Sequence, residues 1–174
     1  MQTLANQLSN QLAYDVRELT HDDEDDIYQL QKQHQQFFDL FLDHQLTKRE
    51  ATSDLDEVAS EASAAQKHYL GLFKDGKLVA TIDLTIDYPL PQLVWLGQYF
   101  VDDSQISANE RTTIINQILA VLKQLTAVQV QLLVLKADQP SRDFYENAKF
   151  ELLSETRTKV GQVFMDALIY QKTL

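Results

Sequence analysis

The chain has 174 residues, enough for a domain that buries roughly 70% of the surface its unfolded form would expose. It contains no cysteine, which excludes thiol nucleophiles, disulfides and cysteine-ligated metal centres and fits a reducing cytoplasm. Acidic residues outnumber basic ones 26 to 15, for a net charge of -11, and the Lys and Arg residues are scattered, so nucleic-acid binding is not expected. The acidic balance suits either a cationic partner such as an amine or a solvated acidic surface.

No apolar run approaches the roughly 18 residues of a membrane span. The amino end, MQTLANQLSNQLAYDV, has neither a basic flank nor a long apolar centre, so a soluble, cytoplasmic protein without membrane contact is expected. Residues 1–12 form either a frayed or a helical extension. One domain over 1–174 is expected, because no repeat or Pro/Gly-rich linker divides the chain.

YDVREL (14–19) alternates as a short strand does. A helix is predicted next, starting at Thr20 or Asp22, with the acidic run DDEDD in its first turn and Ile27, Leu30, His34, Phe37, Phe38 and Phe41 on one face. Helix capping accounts for the acidic run, so no metal site is expected. His34, on the apolar stripe, reads as a packed residue. A second, more polar helix is predicted over 47–66, a stretch rich in Ala and Glu and free of breakers.

The period changes at His68. HYLGLF, KDGK and LVATIDLTIDY read as a hairpin turning at Asp75-Gly76. In its second arm Leu78, Ala80, Ile82, Leu84, Ile86 and Tyr88 share one face, and Thr81, Asp83, Thr85 and Asp87 share the other. Asp83 and Asp87 are candidate general bases, with His68 a third; equally, that face is the solvent side of an antiparallel sheet. A strand, LVWLGQYFV (93–101), then runs through a polar turn into a helix with Ile114, Ile115, Ile118, Leu119, Leu122 and Leu125 on its apolar stripe. VQVQLLVLKA (128–137) is a central strand, PSRDFYENA (140–148) a short helix, and two closing strands meet at 159–162. The order β, α, α, β, β, β, α, β, α, β, β specifies an α+β, mixed-sheet fold and not a doubly wound parallel one.

This order, together with DQPSRDFYENAKF (138–150), resembles the GNAT superfamily of acetyl-CoA-dependent N-acetyltransferases over nearly the whole chain. The family pattern Asn-x-x-Ala-x-x-x-Tyr-x-x-x-Gly-Phe meets Asp138, Ser141, Tyr145, Lys149 and Phe150 here; Tyr145 and Phe150 match and the other three depart. The resemblance implies a GNAT-like acyl-CoA N-acyltransferase fold, a central, mostly antiparallel sheet flanked by helices. It implies acetyl transfer from acetyl-CoA to the amine of a small molecule or peptide, by a monomer or homodimer. Tyr145 is then the candidate general acid for the departing thiolate, a role open to a phenol of ordinary pKa about 10; the alternative is an aromatic anchor packing the helix on the sheet.

The family's diphosphate turn, Gln/Arg-x-x-Gly-x-Gly/Ala, falls on Ile106, Ser107, Ala108, Asn109, Glu110 and Arg111, with neither glycine present. Indeed no glycine occurs from Gln98 to Val160. The free N–H groups of a helix start persist without glycine, whereas Asp102, Asp103 and Glu110 oppose an anion. Backbone groups of Tyr99, Phe100 and Val101 are implied to hold the acetyl carbonyl and pantetheine arm, and Asp138 and Ser141 to lie on the coenzyme side. A GNAT-fold binding or interaction module with impaired catalysis is the alternative function.

Overall fold

The computed structural model describes residues 2–174. In chain order the elements are α1 (Leu4–Gln11), β1 (Asp15–Glu18), α2 (Glu24–Lys32), α3 (Gln35–Phe38), α4 (Lys48–Ala51), β2 (Lys67–Lys74), β3 (Lys77–Ile86), β4 (Leu93–Val101), α5 (Ala108–Gln124), β5 (Gln129–Leu135), α6 (Gln139–Asn147), β6 (Glu151–Val160) and β7 (Val163–Thr173). The strands form one mixed sheet in the order β1-β2-β3-β4-β5-β7-β6. Only the β4–β5 pair is parallel, and α5 makes the crossover between them. The fold is α+β, a mostly antiparallel sheet flanked by helices.

Period-two alternation along β3 and β4 sends neighbouring residues to opposite sides of the sheet. On one side α5 buries Ile114, Ile115, Ile118 and Leu122 against Ile82, Leu84 and Leu96, with Leu4 and Leu8 of α1 in the same cluster. On the other, Ile27 and Leu30 of α2 pack on Tyr69 and Phe73, and Phe38, Leu46 and Ala51 gather beside Phe100. The sheet is therefore covered on both faces near its centre. Thr81 and Thr85, read from sequence as the solvent side, are buried at 0% and 5% exposure.

Three further readings are corrected. The helix predicted over 47–66 shrinks to α4 and a single 3-10 turn, Ser53–Leu55. Thr47 and Glu50 form a capping box that starts it, but only Ala51 and Thr52 are buried. Helix propensity without an apolar stripe to pack does not sustain so short a helix. The helix predicted through Phe41 breaks at His34, whose Nε2 lies 2.8 Å from the Val101 carbonyl and donates to it. Finally, Leu78 leaves the face of Ala80 and Ile82. The register passes from Leu72↔Ala80 to Phe73↔Leu78, so Val79 is an extra residue in β3 and Leu78 joins Phe73 and Ile27 on the opposite side.

Ile115→Ala is expected to lower unfolding free energy by about 2–5 kcal/mol, because Ile115 is wholly buried where α5 meets the sheet. Urea denaturation should show the midpoint falling with the slope unchanged.

Candidate acyl-transfer site

The pairing of β3 with β4 passes from Leu84↔Leu96 to Asp83↔Gln98, leaving Gly97 as an extra residue in β4. A Cβ there would sit 2.9 Å from Asp83 Oδ2, so glycine lets that carboxylate lie against the bulge. Beyond it β4 stays paired with β3 as far as Val101. Its pairing with β5 ends at Leu96↔Leu132. The two parallel strands therefore part at Gly97, and the β5 side of Gly97–Val101 has no strand partner among the described residues.

The three strand residues named from sequence meet different surroundings along this edge. Tyr99 points toward α5, and its hydroxyl donates to the Arg111 carbonyl at 3.0 Å. Phe100 points the other way, its ring 5.1 Å from His34 and 5.8 Å from Phe37. Val101 uses its carbonyl to accept from His34 and is no longer a free acceptor there.

The turn into α5 is built on its own side chains. Asp102, buried at 3% exposure, accepts from the backbone and hydroxyl of Ser104 and pairs with Lys77 at 3.3 Å. Burial pushes its carboxyl up, but the Ser104 and Lys77 contacts outweigh this and hold it below the usual range. Ile106 is a core residue at 3% exposure, which removes its side chain from any ligand surface. Ser107 is the N-cap of α5: its hydroxyl accepts from the Glu110 backbone, while the Glu110 carboxylate accepts from the Ser107 N–H at 2.8 Å. The Ser107 N–H holds the Glu110 carboxyl below its usual range. A carboxylate thus already lies over the helix start where a diphosphate would be cradled, and Ser107, Ala108, Asn109 and Glu110 are all exposed there.

Arg111 extends from this turn across two rings, 4.1 Å from the Phe144 centroid and 5.6 Å from that of Tyr99. Its Nε is buried without a hydrogen-bond partner. Tyr145, on α6, is 6% exposed and packs edge-on against Phe144 and Phe150. Burial raises its phenol well above 10, opposed by the charge of Arg111. Asp138 caps α6 by accepting from the Ser141 N–H at 3.2 Å, so these two residues are engaged with each other.

On the α2–α4 side, a cavity of about 1290 Å³ opens beside the bulge. Asp54, Asp83, Gly97, Gln98, Phe37, Phe38, Phe41 and Phe100 are among its lining residues. Asp83 lies 3.4 Å from Lys67 Nζ, and burial raises its carboxyl more than Lys67 lowers it. Asp54 is pushed up to about 7, first by burial and then by the negative charge of Asp83, against the pull of Lys67. Asp54 falls within the polar helix predicted over 47–66, and nothing local marks it; its surroundings come from Asp83 and Lys67 on the sheet. Asp87 is not in the cavity wall: it sits past the end of β3 with φ 53°, accepting from the Gln92 N–H at 2.7 Å. His68 pairs with Glu18 at 2.7 Å on the outer strands.

Solved structures share this arrangement of strands and helices. An acetyltransferase from Thermus thermophilus superposes with a TM-score of 0.68 at 14% identity, covering 94% of this chain and 99% of that one. A Desulfovibrio desulfuricans protein described as an acetyltransferase of the GNAT family gives 0.67 at 14% identity, over 92% and 99%. The chain has the GNAT fold. PaiA N-acetyltransferase from Thermoplasma acidophilum, solved with coenzyme A, shares this GNAT fold at a TM-score of 0.65 and 14% identity, over 94% and 100%. No protein-family model matches the sequence, and no curated protein matches it. At such identities the likeness lies in the path of the backbone.

The raised Asp54 carboxyl has a consequence for stability. Its proton is held more tightly folded than unfolded, so the contribution favours the fold at low pH and is lost as pH rises from about 4 through about 7. Asp54→Asn is expected to gain about 1–3 kcal/mol at pH 8 and to flatten this pH dependence, as read by urea titrations at several pH values.

Proposed function

We propose that the chain, as one GNAT-like domain, is an acetyl-CoA-dependent N-acetyltransferase acting on the amine of a small molecule or peptide. One observation carries this reading: β4 parts from β5 at Gly97 next to a cavity lined by carboxylates, Asp54 and Asp83 among them. An acyl arm lying along the unpaired edge of β4 would present its carbonyl to the bulge, and an amine in the cavity would approach from the α2–α4 side.

The fit to the coenzyme is uneven along its length. The gap suits the narrow acyl and pantetheine end, because the edge of β4 offers backbone donors and acceptors that no strand satisfies. At the diphosphate end the Glu110 carboxylate occupies the helix start, so binding there requires Glu110 to swing away and leave Ser107, Ala108, Asn109 and Arg111 as partners. When bound, the coenzyme supplies the activated acetyl thioester. Tyr145 is the candidate acid; with its phenol raised by burial it serves the departing sulfur better by donating a hydrogen bond than by giving up its proton.

The Ser107–Glu110 box favours a second reading, a GNAT-fold binding or interaction module with impaired catalysis. Thermal unfolding with acetyl-CoA separates the two. Coenzyme at 100 times its dissociation constant is expected to add about 2.7 kcal/mol of apparent stability; no shift at millimolar coenzyme would leave the binding-module reading. Given binding, Glu110→Gln is expected to tighten it about two- to fivefold by removing the charge at the helix start. Tyr145→Phe is expected to slow thiol release with coenzyme affinity unchanged, and equal turnover would reject the acid role.

A further inference from the structure

The cavity wall has two chemically different parts. Beside the Gly97 bulge stand the carboxylates of Asp54 and Asp83. Three residues along β4, Phe100 begins an aromatic wall: its ring lies 5.8 Å from Phe37 and 5.9 Å from Phe38, and Phe37 is 5.5 Å from Phe41.

The two carboxylates are not equivalent. Asp83 is committed to Lys67, which also donates to the Glu57 carbonyl; the Asp83 and Lys67 side chains are 13% and 11% exposed. Asp54 has no ion-pair partner among the described residues. The charged and titratable groups acting on or beside it are Asp83 from β3, Lys67 and Tyr69 from β2, and Glu57 from its own segment. Asp54, Asp83 and Glu57 share the single ammonium of Lys67 there, so negative charge is in excess beside the bulge. An ammonium group would offset that excess, next to rings that accept an apolar body and favour a nearby cation.

We propose that this cavity receives a primary amine carried on an aromatic body, with Asp54 as its proton acceptor. This rests on the N-acetyltransferase reading and specifies its acceptor. A polyamine or a peptide would draw on the polar part of the wall, which includes Glu50, Asp56, Glu57, Thr52 and Ser53, whereas an aromatic body uses the ring cluster of Phe37, Phe38, Phe41 and Phe100. Asp54 takes one proton from the ammonium, freeing the nitrogen pair for the acetyl carbon of the thioester donor. The nitrogen–carbon bond forms as the carbon–sulfur bond breaks, and the second proton lost from nitrogen ends on the sulfur. An acid near 7 accepts and releases that proton at neutral pH.

The test is calorimetric titration of the coenzyme-free protein with 2-phenylethylamine, spermidine and a short peptide with a free amino terminus. Phenylethylamine is expected to bind about tenfold tighter than the other two, and about tenfold weaker to Asp54→Asn. Its affinity for the unaltered protein should rise with pH to a plateau above about 7 as Asp54 ionises, and Asp54→Asn should lose that rise. Phe100→Leu should weaken phenylethylamine while leaving the pH profile in place. Absence of saturable phenylethylamine binding, tighter binding of spermidine or peptide, or an unchanged pH profile in Asp54→Asn would overturn the inference. Because no coenzyme is present, these outcomes are independent of the acetyl-CoA stability shift: loss of one reading leaves the other measurable.

Discussion

At the extra residue Gly97 β4 parts from β5, while its pairing with β3 resumes beyond the bulge. A central strand is held on one side and released on the other, which opens the sheet at its middle without breaking it. Everything of chemical interest lies around that opening. Asp83 can approach because glycine has no Cβ, Phe100 is delivered to one face and Tyr99 to the other, and the crossover through α5 begins just beyond. The hydrophobic clusters on both faces pack against the strands that border the opening.

Charge is distributed around this frame in two ways. At the start of α5 negative charge is used for capping: Glu110 satisfies the Ser107 N–H and Asp102 shapes the loop before it. These carboxylates titrate below their usual range because hydrogen bonds hold them ionised. On the α2–α4 face the balance reverses: burial raises both Asp54 and Asp83, and the charge of Asp83 raises Asp54 further. The first pattern stabilises a turn. The second stores unfavourable energy beside the strand opening, as functional sites commonly do.

Much of the frame was readable in the sequence because it follows periodicity. The hairpin at Asp75-Gly76, the apolar stripe of α5 and the continuous run of β5 each carry their own signal. The bulges do not: Val79 and Gly97 add a residue to one strand against its partner, and that shift belongs to the pair. Leu78 was therefore placed on the wrong face. The stretch 47–66 failed for another reason, since its composition favours helix but its residues offer no stripe to bury. That error also concealed Asp54, whose surroundings come from Lys67 and Asp83 on separate strands. The absent glycines of the turn were plain, but the capping box that fills their place is a matter of side-chain geometry.

The segment from Phe37 to Glu57 supplies much of the cavity wall yet holds little regular structure, while the sheet supplies Asp83, Gly97, Gln98 and Phe100 from its centre and Lys159 and Val160 from β6. Side chains in such a segment can be exchanged without disturbing strand register, because few of its backbone groups belong to a ladder. Recognition and scaffold are thus separately mutable. A lineage carrying this chain can change what it recognises by drift through the positions of this segment that lie outside the Phe38, Leu46 and Ala51 cluster, with the opening at Gly97 left as it is.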